Sequence, residues 1–93
     1  MDDADIQMHL KAARAAGRES ACGVKLQHST VKSAEAAAKS LNRREVVLTG
    51  ARNYVEPYPC PFCSPNLNPA NPLYLWHVGR AMTPEEREYY RAA

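Results

Sequence analysis

The chain has 93 residues, enough for one domain, and a formal net charge of +2. That small charge excludes a strong global pull toward a polyanion, although 12 Lys and Arg side chains can still gather on one face. Apolar residues make up 45% of the chain, but 15 residues are alanine, so the core is thin and would gain from a staple such as a metal ion. No apolar run approaches the roughly 20 residues of a membrane span. The acidic start Met1-Asp2-Asp3-Ala4-Asp5 is unlike a signal peptide. These features predict a cytoplasmic protein with no membrane partner. Three cysteines are an odd number, which suits metal ligation in a reducing compartment better than a disulfide framework.

Residues 3–17 carry Ile6, Leu10, Ala13 and Gly17 at helical spacing, with acids at the start and Lys11, Arg14 and Arg18 toward the end. The simple reading is an amphipathic helix packed on its own domain; the alternatives are docking on a partner or pairing with its copy. Residues 21–28, Ala-Cys-Gly-Val-Lys-Leu-Gln-His, alternate loosely after Gly23 and predict a short strand. Ser29 and Thr30 then offer a cap, and Val31, Ala34, Ala38 and Leu41 predict a helix over 30–42, supported by the Glu35–Lys39 pair. Residues 44–50 predict a strand ending in a turn at Gly50-Ala51, and 52–58 a second extended stretch. Pro57 and Pro59 cannot donate to a ladder, so that stretch must end at a sheet edge or leave the sheet. Residues 64–72 hold three prolines and three asparagines and predict a loop. Residues 73–79 predict a strand with Leu73, Leu75 and His77 on one face and Tyr74, Trp76 and Val78 on the other. Thr83-Pro84-Glu85-Glu86 reads as a capping box opening a short last helix to about residue 91.

The fold class that follows is α+β. A small antiparallel sheet of about three or four strands carries a zinc-knuckle-like site, flanked by two main helices and a short C-terminal helix. The whole of 1–93 is one domain: an N-terminal helical extension over 1–20, a metal-binding core over 21–80, and a C-terminal helix over 81–93.

Cys60-Pro61-Phe62-Cys63 looks like the glutaredoxin active-site pattern. That chemistry needs the first thiol at a helix N-terminus, where the dipole lowers its pKa. Here Pro65, Pro69 and Pro72 follow and forbid a helix. A metal uses the same residues better. A Cys-x2-Cys turn sets two thiolates about one tetrahedral edge apart. Thirteen residues separate Cys63 from His77, which returns on a strand to offer a third corner. Cys22 is the preferred fourth ligand, because Gly23 lets the backbone turn tightly around an ion; His28 is held in reserve. His9, inside the first helix, reads as a surface or packing histidine. Three thiolates and an imidazole predict a closed structural Zn2+ site with no open position for water, and so no metal catalysis.

The run Cys22-Gly23-Val24-Lys25, the alanine-rich helix over Ala34 to Leu41, then Tyr58-Pro59-Cys60-Pro61-Phe62-Cys63 and Trp76-His77, is similar to small zinc-finger-like proteins encoded by actinobacteria and their phages. The likeness covers residues 22–79. In such proteins the cysteine pair and the Trp-His lie closer together. Here Ser64–Pro72 is an insertion and the first helix an addition, and both mark where this chain's own specificity lies. The resemblance implies a zinc-stabilised fold more than an activity, and it implies the cytoplasm of a bacterial host.

No Ser/His/Asp arrangement or glycine-rich phosphate loop is present, so the chain does not read as an enzyme. Two roles remain. The first is docking on a host protein through tyrosines, with Tyr54, Tyr74, Tyr89 and Tyr90 the chief candidates beside Tyr58, Trp76 and the 64–72 loop. Trp76 is expected to be mostly buried. The second is nucleic-acid binding through a basic face of Lys32, Lys39, Arg43, Arg44 and Arg52. A monomer and a homodimer both fit the sequence.

Overall fold

A computed structural model describes residues 1–49 and 55–93. Its elements run α1 (Asp3–Ala16), α2 (Arg18–Ala21), α3 (Val31–Thr49), β1 (Val55–Pro59), β2 (Trp76–Arg80) and α4 (Pro84–Ala92). Among the described residues the class is the expected α+β, with four helices and a two-stranded antiparallel sheet rather than three or four strands.

The first helix forms as its sequence dictates. The Asp2 carboxylate accepts from the Asp5 amide at 2.8 Å and caps the N-terminus. The chain leaves the helix at Gly17, whose φ of +92° is open to glycine at no steric cost. Its inner face buries Met8, Leu10 and Ala13. The expected helical extension is therefore a wall of the core. Residues 21–28 depart from the expected strand. Arg18–Ala21 instead make a single helical turn, α2, and only His28 reaches the sheet, exchanging both backbone hydrogen bonds with Trp76 at 2.8 Å.

The next helix, α3, begins as expected. The Ser33 amide donates to the Thr30 hydroxyl at 3.1 Å, and Ala34 and Ala38 face inward. It runs on through Thr49, so Arg44–Thr49 are helical and not the predicted strand. Extending a formed helix adds one hydrogen bond per residue fixed, and the β preference of Val46 and Val47 opposes that by only about half a kcal/mol each. The predicted turn at Gly50-Ala51 lies outside the described residues, as do 52–54 of the predicted extended stretch.

Val55–Pro59 and Trp76–Arg80 pair in the register Val55↔Arg80, Tyr58↔His77 and Pro59↔Trp76. The outer edge of β1 is closed by Asn42 of α3. Its amide donates to the Val55 carbonyl at 3.0 Å, and its side-chain carbonyl accepts from the Val55 amide at 2.7 Å. Pro57 and Pro59 share the phase of Val55, so their missing N–H groups face this outer edge and not β2. The last helix opens with the full Thr83–Glu86 capping box. It packs on α1, where Lys11 donates to the Ala93 carbonyl and Arg91 lies 3.5 Å from Asp5.

A half-buried polar knot joins α1, β1 and α4. Glu56 of β1 accepts from Arg87 and, at 2.7 Å, from the Met82 amide, while the buried His9 of α1 sets Nε2 3.6 Å from the same carboxylate. His9 is thus a packing histidine. Burial lowers its pKa, and Arg87 adds to this, against the opposing pull of Glu56 and Asp5. The unfolded chain then takes up a proton near pH 6.5 more readily than the folded one. The contribution of neutral His9 is whole above that pH and is lost as pH falls below it. The melting temperature of the native chain should therefore drop more steeply between about pH 7 and 5 than that of His9→Leu. Parallel melting curves across that range would contradict the assignment.

Candidate metal centre

Three separate parts of the chain deliver the site. Cys60 leaves the end of β1, fixed by its amide to the Leu75 carbonyl at 2.8 Å. The turn back to Cys63 closes where the Ser64 amide reaches the Cys60 carbonyl at 3.2 Å. The Ser64 hydroxyl clamps that turn to the approach of β2, accepting from the Leu75 amide at 2.9 Å and donating to its carbonyl at 3.3 Å. Inside the turn, Phe62 carries the Arg18 guanidinium 5.3 Å above its ring. His77 comes from β2, opposite Tyr58.

Cys22 comes from the turn that ends α2. Both the Cys22 and Gly23 amides bond back to the Arg18 carbonyl, and the Lys25 amide bonds to the Cys22 carbonyl. Gly23 has φ +45°, and a Cβ there would stand 2.6 Å from the Glu19 carbonyl oxygen. Only glycine makes this turn without moving the backbone, as its place after Cys22 suggested.

The ligand atoms of Cys22, Cys60, Cys63 and His77 all lie within 4.8 Å of one another, in a geometry that can hold a metal ion. A tetrahedral ion with metal–sulfur bonds of about 2.3 Å sets its ligands about 3.8 Å apart, so one ion suits the group. The His77 ring is fully buried and already oriented. Nδ1 lies 2.8 Å from the Leu26 carbonyl, which can only accept, so Nδ1 carries the proton. Nε2 then turns its lone pair toward Cys63 Sγ, 3.3 Å away. A carbonyl behind a ligating imidazole is the usual outer support of a metal-bound histidine.

The electrostatics keep the cluster neutral unless a cation joins it. Burial, then hydrogen bonding and charge from Cys60, and the neighbouring Cys22, push the Cys63 thiol up to about 12. Tyr58 is also raised, first by burial and then by the three cysteines, and its hydroxyl donates to the Ala21 carbonyl. Its ring stands 5.9 Å from that of His77. Thiols gathered this closely resist ionising together, and a divalent ion supplies the charge that lets them do so.

The reserve ligand His28 is not in this group: its Nδ1 bonds the Ser33 hydroxyl at 2.8 Å. Of the partner-binding candidates, Tyr89 is 68% exposed and stacks edge-on with the half-buried Tyr90, with centroids 4.9 Å apart. Tyr74 is half-buried, edge-on to Trp76, which is buried as expected. Tyr58 is spent on the metal centre, and Tyr54 lies outside the described residues. Lys32, Lys39, Arg43 and Arg44 are exposed on α3, and Arg52 lies outside the described residues. Two parts of the centre went unread in the sequence. The Leu26 carbonyl is a backbone group with no residue signature, whereas Tyr58, two places before Cys60, had one in the Tyr-x-Cys spacing.

Comparison with known protein families, with curated proteins and with solved structures finds no match for this chain.

Gly23→Ala tests the local turn. It forces a left-handed backbone on alanine and a clash with Glu19, and should cost at least about 1–2 kcal/mol in denaturant unfolding. A stability equal to the native chain would show that the turn relaxes freely.

Proposed function

We propose that the chain is a non-enzymatic, zinc-stabilised docking domain that acts by binding another protein. The observation that carries this is the convergence of three cysteines and one histidine on a single point. Three thiolates with one imidazole suit zinc above the hard cations, and four protein ligands leave no coordination place for a substrate or an activated water. The ion in such a site supports the fold and performs no chemistry. What is left for function is the surface. Tyr89 presents a large, rigid ring of the kind that anchors protein interfaces. The likeness of the cysteine and Trp-His pattern to small zinc-finger-like phage proteins makes a host protein the partner of this reading.

The metal half has a direct test. The purified chain should carry about one zinc per molecule by elemental analysis. Cys60→Ser or Cys63→Ser should lower zinc content and melting temperature together, because metal binding and folding form one equilibrium in small sites. His28→Ala should keep its zinc. A Cys63→Ser chain with unchanged zinc content would remove the proposed ligand set.

A second reading rests on one observation. Lys32, Lys39 and Arg43 are exposed, and their spacing of seven and four residues aligns them in one stripe along α3. That stripe suits a nucleic-acid backbone. The two readings separate by salt. Three phosphate contacts would weaken binding about fortyfold between 50 and 200 mM salt, whereas docking through tyrosine should change little. Capture that survives nuclease and 200 mM salt, and is lost in Tyr89→Ala, supports the protein partner. Capture abolished by nuclease supports the other.

A further inference from the structure

Beside the candidate metal centre, with which it shares Tyr58 and Ala21, a cleft of about 330 Å³ opens between α1, the sheet and α4. Its volume is at the lower end of small-molecule sites, which run from roughly 300 Å³ upward. Its origin is compositional. The side of α1 facing the sheet and α4 presents Ala12, Ala13 and Ala16, and alanine side chains fill too little space to close the gap.

The polar groups around this alanine wall leave one charge unspent. Glu56 is held by Arg87, and Glu86 at the rim is held by both guanidinium nitrogens of Arg80, at 3.0 and 3.1 Å. Lys25 lines the same cleft, and among the described residues no carboxylate lies within ion-pair distance of it. Because Glu56 is neutralised by Arg87 from outside the lining and Glu86 by Arg80 within it, Lys25 is the cation of the lining left without a carboxylate partner among the described residues. Beside Lys25, Ser20 and Tyr90 present hydroxyls, and His9, itself 4% exposed, presents an imidazole. Together they offer a place for one monoanionic head and an apolar wall for the body behind it.

The geometry points to this cleft as a binding site for a carboxylate on a small apolar body, its head paired with Lys25 and its body against the alanines of α1. The site stands apart from the docking role and does not need it. A free acid and the C-terminus of a peptide offer the same chemical group.

The test is a titration of the zinc-loaded, isotope-labelled chain with benzoate, followed by amide proton–nitrogen correlation spectra, with benzamide as the neutral control. Benzoate should shift the signals of Ser20, Lys25 and Ala16 in a saturable way, and benzamide should not. Lys25→Ala, an exposed position, should weaken benzoate about tenfold, the scale of one charge-assisted contact. Lys25→Arg should keep it, and Ala16→Leu, also exposed, should block the cleft without touching the core. The dipeptide acetyl-Gly-Phe, with free and with amidated C-terminus, forms the second arm. Tighter binding of its free form than of benzoate assigns the site to peptide ends, and weaker binding to free acids. The proposal is overturned if neither acid shifts the cleft signals, if benzamide shifts them equally, or if Lys25→Ala binds benzoate with native affinity.

Discussion

Four side chains drawn from residues 22, 60, 63 and 77 meet at one point and tie three separate parts of the chain together. Among the described residues the buried apolar set is short, and half of it is alanine: Ala13, Ala21, Ala34 and Ala38 beside Met8, Leu10, Cys60 and Trp76. A domain stability is ordinarily about 5–15 kcal/mol. A structural zinc in a small site contributes an apparent 10–16 kcal/mol or so at neutral pH. On the zinc reading, the ion is worth as much as everything else together. Without a cation Cys63 stays a neutral thiol at neutral pH and packs as a small apolar group. On the zinc reading, the ion turns a weakly held corner of the protein into a strongly held one.

That meeting is prepared by backbone groups more than by side chains. The Leu26 carbonyl fixes the His77 tautomer, Gly23 lets the chain turn beside Glu19, and Ser64 ties the Cys60–Cys63 turn to Leu75. The Tyr58 hydroxyl binds the Ala21 carbonyl, next to Cys22 in the chain. β1 and β2 set Tyr58 opposite His77, so the short sheet acts as the template that holds two ligand-bearing turns at a constant separation. Two strands suffice for this. The outer edge of β1 is closed by Asn42 and by prolines that need no partner, and the far edge of β2 is met by His28 alone.

Local rules and long-range ones differ in how visible they are from sequence. Capping is local, so Thr83–Glu86 and the start of α3 at Val31 could be read from a few neighbouring residues. The ligand set was legible for a different reason: thiol and imidazole are rare groups, and three thiols with a Trp-His pair leave few ways to satisfy one ion. The extent of α3 was not legible. Val46-Val47 carries a β preference that is small beside the gain of continuing a helix already formed. The expected strand over 21–28 failed because Cys22 turns toward Cys60, Cys63 and His77. That turn needs α2 before it and Gly23 after it, and a four-residue helix leaves no periodicity to find. The Leu26 carbonyl was invisible in principle, since any residue supplies one.

The two polar centres divide the molecule's labour. The cysteine-histidine group holds the ends of the sheet strands, and the knot of His9, Glu56 and Arg87 holds α1 and α4 against the middle of it. Neither centre fills space between the helices as a large apolar core would. Alanine lets α1 approach closely, yet leaves a trough wherever the partner side chain is also short. The cleft beside Lys25 thus follows from holding a small domain together with polar clusters and small side chains instead of with bulk. A chain that enlarged Ala12 and Ala16 would fill that trough and gain apolar contact between the helices.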